Sequence, residues 1–202
     1  MTLNEKEEKI RFFMIFIIIA ASSFLVGLIV RYLIPQSFSL CKSYQNSLKT
    51  ALILQSENGF FSLPVLASAF TEDAKFFFFV FVAGFTNYAD KLFVCLSLFK
   101  GITSGFCTAS LMCLIKSGEI IAKHQFLTTF VFTLYAVSLI AGLCLFCSVS
   151  LYFSKKHLQP FGLKPLLKRK TTYLFILDFL VFCGTAFILI LIKQGNFLFM
   201  IS

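Results

Sequence analysis

The chain has 202 residues, 58% of them hydrophobic, with 18 Lys and Arg against 9 Asp and Glu. Its mean hydropathy is +0.90, and so few charged side chains could not cover the apolar surface of a soluble domain this size, so a lipid-facing fold is expected. The net charge of +9 points to membrane topology rather than nucleic acid, because the basic residues flank apolar runs and no nucleic-acid-binding motif is present.

Residues 1–10 are polar, and Arg11 opens an apolar run over residues 12–30 that Arg31 closes. At the helical rise this run measures about 29 Å, the thickness of a hydrocarbon core. Ala20, Ala21 and Ser22 mimic a leader cleavage site, but the run continues to Val30, so a retained first span is expected. Residues 34–75 form the longest polar-containing connection. Within it Leu40, Tyr44, Leu48 and Leu52 recur every fourth residue and predict a helix with one apolar stripe, ended by Asn58-Gly59. Residues 60–70 are apolar but too short to cross, Pro64 interrupts them, and Glu72, Asp73 and Lys75 separate them from the next run. This segment is expected to lie along the membrane surface or to pack on the protein's outer face.

Two apolar runs, residues 76–99 and 101–115, then meet at Lys100-Gly101, which predicts a tight hairpin tip. The second run is short for a crossing. Gly101 and Gly105 form a small-xxx-small pair, with Ala109 one step further, that would let another helix approach closely; the alternative is a turn glycine and an unrelated one. After a polar turn, residues 126–153 predict a span. Residues 154–172 carry Lys155, Lys156, Lys164, Lys168, Arg169 and Lys170, and residues 173–192 predict a last span that contains Asp178.

Positively charged short loops stay cytoplasmic, which places the basic loop 154–172 and the amino terminus inside. The expected fold is therefore all-α, a single-domain polytopic membrane helix bundle of five transmembrane helices with an extracytoplasmic helical connection at 34–75. Its amino terminus is expected inside and its carboxyl terminus outside the membrane. A rival arrangement makes residues 76–90 re-entrant and 91–115 one helix; it leaves three crossings before the basic loop and is disfavoured.

This map puts Lys91 about 12 Å and Asp178 about 8 Å from the inner face. Asn87, Asp90, Lys91 and Asp178 are then expected to form an intramembrane polar cluster, in which either Lys91 pairs with Asp178 or Asp90, Lys91 and Asp178 share one polar pocket. Its functional reading is an ion or substrate path, and its structural reading a lock between spans. The cysteines inside apolar runs, Cys144-x-x-Cys147 among them, read as packing residues rather than metal ligands, and His124 and His157 have no ligand at metal spacing. No catalytic motif is present, so neither enzymatic activity nor a cofactor is expected.

The stretch FVAGFTNYADKLFVCLSLFKGITSGF, residues 81–106, resembles the signature region of the stage II sporulation protein M family. In that family a span containing small residues leads into an aliphatic run, then Lys-Gly, three residues and Gly-Phe. Gly84, Lys100, Gly101, Gly105 and Phe106 stand at the matching positions. Family members usually carry a Gly-x-Pro break midway through the second span, where this chain has Ala89-Asp90-Lys91. The resemblance implies a polytopic scaffold of an endospore-forming bacterium that anchors the peptidoglycan-degrading stage II sporulation proteins D and P during engulfment, with residues 34–75 as docking surface. The alternative is a small permease or the membrane subunit of a larger transporter, which Asp90, Lys91 and Asp178 at membrane depth would serve.

Overall fold

The computed structural model describes residues 3–34, 62–118, 125–158 and 170–200, with residues 42–43, 45–47 and 49–50 between the first two segments. The striped helix expected around Leu40, Tyr44, Leu48 and Leu52, and most of the basic loop, lie outside the described residues. Five long helices organise the rest: α1 (Leu3–Leu33), α2 (Leu63–Ala83), α3 (Ala89–Lys116), α4 (Gln125–Phe153) and α5 (Lys170–Met200). A short π-helical turn, Ser154–Leu158, extends α4. By length and composition four of these helices can cross a membrane, over Glu5–Leu33, Ala89–Lys116, Gln125–Lys156 and Thr171–Gly195.

The corner expected at Lys100-Gly101 does not exist. Both residues lie inside α3, which runs unbroken from Ala89 to Lys116. An unbroken helix of this length measures about 42 Å, enough to cross with tilt, whereas residues 101–115 alone would reach only about 22 Å. One glycine inside a helix costs about 1 kcal/mol. Opening the backbone in lipid would leave amides and carbonyls unsatisfied at several kcal/mol each, so the helix continues. The reversal falls instead at residues 84–88, where Phe85 N–H donates to the Val82 carbonyl, and Thr86 donates to the Ala83 carbonyl through both its amide and its hydroxyl. Thr86 and Asn87 are turn formers, and Thr86 supplies its own cap.

Pro64, read above as an interruption, opens α2 from its first turn, with Ser62 as N-cap residue. Proline is favoured there because a first-turn amide needs no intrahelical partner. Starting at Leu63, α2 carries Glu72, Asp73 and Lys75 as part of a 21-residue helix rather than in a connection.

The helices alternate in direction. Phe16 meets Phe93 at 6.2 Å between ring centroids, and Arg31 reaches Ser110, so α1 and α3 run parallel. At the other side of α1, Ser148 donates to the Lys9 carbonyl and Lys156 pairs with Glu5, so α4 runs against α1. Phe153 stacks on Phe175 at 4.3 Å while Phe146 packs on Phe182 at 4.9 Å, which sets α5 against α4. Phe70 meets Phe187 and Phe81 meets Phe175, so α2 runs against α5. One end of the bundle therefore gathers Lys6, Lys9, Arg11, Lys91, Lys155 and Lys156, and we call it the basic end.

The α1–α3 seam is made of small residues. A Cβ added to Gly101 would stand 2.6 Å from the Ala20 carbonyl oxygen, one on Gly105 2.1 Å from that of Phe24, and one on Gly27 2.2 Å from that of Ile102. Such approach gains dense van der Waals contact, the main cohesion available between helices in lipid. The α2–α4–α5 side is packed by phenylalanines, with Phe77, Phe81, Phe146, Phe175, Phe179 and Phe182 in mutual ring contact. The outward faces stay apolar: Ile18 and Ile29 of α1 are 62% and 57% exposed, and Leu180 and Ile188 of α5 are 58% and 57% exposed. Aqueous solvent would disfavour two such helices, and lipid tails would not.

Candidate functional site

The expected polar cluster is dispersed. Asn87 lies in the α2–α3 turn, and Asp90 and Lys91 are exposed in the first turn of α3 at the basic end, where the helix N-terminus favours the Asp90 carboxylate. Among the described residues no ion pair joins Lys91 to Asp178. Asp178 instead lines a cavity of about 120 Å³ together with Lys9, Tyr152 and Thr171. Gly84 is buried between helices, where a Cβ would come within 3.0 Å of the Phe175 ring and 3.3 Å of the Ser150 side chain. Gly101 and Gly105 face α1, as described, and Lys100 points the other way.

Lys100 leads to a site that the sequence left in pieces. Its ammonium is 3.0 Å from a carboxylate oxygen of Asp73 on α2, and each side chain is only 12% exposed. The other Asp73 oxygen accepts the Tyr135 hydroxyl from α4. Lys100 also sits 4.3 Å over the Phe76 ring, and Lys193 of α5 sits 4.6 Å over the ring of Tyr135. These four helices line a half-open cavity of about 350 Å³, with Thr103, Ser104 and Cys107 of α3 on one wall and Phe132 and Leu139 of α4 on another. Lys100 and Gly101 lie beside Ser23, midway along the apolar run of α1, so the Asp73–Lys100 pair sits deep in the apolar zone.

Bringing two opposite charges to such depth requires that each satisfy the other, and the Tyr135 hydroxyl and Phe76 ring supply further partners. The mutually packed rings of Phe77, Phe146 and Phe182 stand along their helices between the residues lining this cavity and those lining the smaller one at Asp178.

Asp73, Tyr135 and Lys193 were missed as site residues. A helix beginning at Pro64 would have put Asp73 mid-helix beside an unbroken α3, and that placement is the signal that could have found the pair. Near the far end of α1, Arg31 is 2% exposed and its Nε donates to Ser110 Oγ at 3.2 Å. Among the described residues no cluster of His, Cys, Asp and Glu could hold a metal ion. No family model, curated protein or solved structure matches the chain.

Proposed function

We propose that the protein is a non-enzymatic multi-pass scaffold of the bacterial cytoplasmic membrane, acting like stage II sporulation protein M to hold cell-wall hydrolases in place. The observation that carries this reading is the use made of the signature stretch. Its reversal at residues 84–88 lies immediately before the position where family members break their second span, although no proline stands here. Its Gly101 and Gly105 are committed to backbone contact with α1. Motif glycines committed to helix packing suit a rigid membrane body better than a moving carrier.

In this reading α2 is a fifth crossing, and the basic end is cytoplasmic by the positive-inside rule. Both the segment between α1 and α2 and the carboxyl terminus then lie outside, where hydrolases of the stage II type, proteins D and P, work. The test is affinity purification of the tagged full chain from its host's membranes, beside a variant with residues 35–61 replaced by a flexible linker. Enrichment of peptidoglycan hydrolases with the intact chain and its loss with the linker variant supports the reading. No hydrolase above the level of an unrelated multi-pass protein overturns it.

The 350 Å³ charged cavity favours a second reading, a transport component that moves a small solute. Solute uptake by proteoliposomes that is lost when the cavity charges are removed would support it over the scaffold.

A further inference from the structure

The charges of the larger cavity do not balance within it. Five charged side chains line it, Glu72, Asp73 and Lys75 of α2, Lys100 of α3 and Lys193 of α5, three positive against two negative. Asp73 is fully engaged, one carboxylate oxygen by Lys100 and the other by Tyr135. That leaves Lys193, which among the described residues has no carboxylate within ion-pair distance and rests on the face of Tyr135 instead. Glu72 and Lys75, also on the lining, are both exposed and oppose each other in sign, and Asp73 and Glu72 attract Lys193 only from beyond ion-pair distance. Lys193 stands just past the apolar run of α5, and an ammonium packed against an aromatic ring there gains from a counter-charge.

The remaining walls define what that counter-charge is attached to. Phe132, Leu139, Phe76 and Phe99 offer apolar surface, and Thr103 and Ser104 offer hydroxyls. About 350 Å³ exceeds what a chloride ion needs and matches the small end of organic-ligand sites.

We propose that this cavity is a binding site for a small organic monocarboxylate, its carboxylate paired with Lys193 and its apolar body against Phe132 and Leu139. The Asp73–Lys100 pair is the fixed floor of the site, and Lys193 is its ligand-binding cation. The site is independent of the scaffold reading: hydrolase capture and carboxylate binding can each fail without the other.

Binding of benzoate and butyrate to the purified full chain in lipid nanodiscs, measured by titration calorimetry, tests this. Benzamide, butyramide and chloride serve as controls. The expected result is binding of the two carboxylates, at least about tenfold weaker binding of the amides, and no competition by chloride at equal concentration, because a charge-assisted hydrogen bond is lost with the amide. Lys193→Met should weaken benzoate binding by about tenfold or more, while Lys193→Arg, which keeps the charge, stays within about threefold. The proposal is overturned if the wild-type chain binds neither carboxylate, if benzamide binds as well as benzoate, or if Lys193→Met binds benzoate unchanged. The wild-type comparison of acid with amide needs no variant, so a misfolded Lys193→Met still leaves a decisive result.

Discussion

Gly105→Ala should destabilise the bundle although alanine is the better helix former. Its new Cβ would stand 2.1 Å from the Phe24 carbonyl oxygen, 3.0 Å from the Phe24 carbonyl carbon and 3.1 Å from the Leu28 amide nitrogen, all of them backbone atoms of α1. No side-chain rotation relieves such a contact. Ordinary contact needs 3.4 Å, so α1 and α3 must part by about 1.3 Å along that line. A gap of this size forfeits half or more of each dispersion contact across the seam. Overpacking of this kind costs about 1–3 kcal/mol, and the helix-propensity gain of about 1 kcal/mol offsets only part of it. A net loss of about 1 kcal/mol should lower the melting temperature by about 2–4 °C. The assay is thermal unfolding in detergent micelles, followed by thiol-reactive dye entering the buried Cys144 and Cys147. Gly184→Ala is the matched control, because its Cβ would meet nothing within 4 Å and should leave stability unchanged or slightly raised. If both variants melt with the wild type, or if both melt early, the seam is not what holds α1 to α3.

Asp73→Asn leaves Lys100 without its counter-charge at depth and should cost about 3 kcal/mol. The double variant Asp73→Leu/Lys100→Met should recover most of that loss in the same unfolding assay, and a double variant no more stable than the single would refute the pairing argument. Gly118 sits at φ 75°, so Gly118→Ala should cost about 1 kcal/mol despite open space around it. Lys156 and Glu5 pair at the exposed basic end, with side chains 45% and 25% accessible, so Lys156→Ala should change stability by less than about 1 kcal/mol, an effect that fades with added salt. In a cysteine-free background, Lys91→Cys and Lys156→Cys should react with an impermeant maleimide from one side of the membrane and Lys116→Cys from the other. Labelling of positions 91 and 116 from the same side would contradict α3 as a single crossing.

The all-helical, membrane-type architecture was legible because it rests on long apolar runs, and periodicity does not enter that argument. The runs at 12–30, 126–153 and 173–192 reappear inside α1, α4 and α5 with additional polar turns at their ends. The polar ends were invisible to hydropathy because Glu5 pairs with Lys156 and the Lys9 ammonium rests over the Tyr152 ring, both across helices. The middle of the chain was misread because glycine and proline have opposite meanings by position. Gly101 reads as a turn residue when its neighbour is Lys100, yet in α3 it is a contact surface. Pro64 reads as a breaker inside an apolar run, yet as a first-turn residue it starts α2. Neither choice can be made from local sequence, since the deciding partner of Gly101 is the Ala20–Ser23 stretch of α1. The polar cavity was illegible for the same reason, its charges being drawn from α2, α3 and α5.

Moving the reversal from residues 100–101 to residues 84–88 keeps the number of chain reversals between α1 and α4, so it leaves the argument from the basic loop intact. That argument depends only on which end of the bundle each loop occupies, and the amino-terminal turn of α1 and the end of α4 do meet through Lys156 and Glu5. What the shift changes is which charges are buried. It carries Asp90 and Lys91 out to the basic end, where they need no partner, and carries Lys100 inward to a depth where it must have one. Once α2 begins at Leu63, Asp73 is drawn in beside it. The inward shift of both charges follows from a single preference, that of a helix in lipid to absorb a glycine rather than open its backbone.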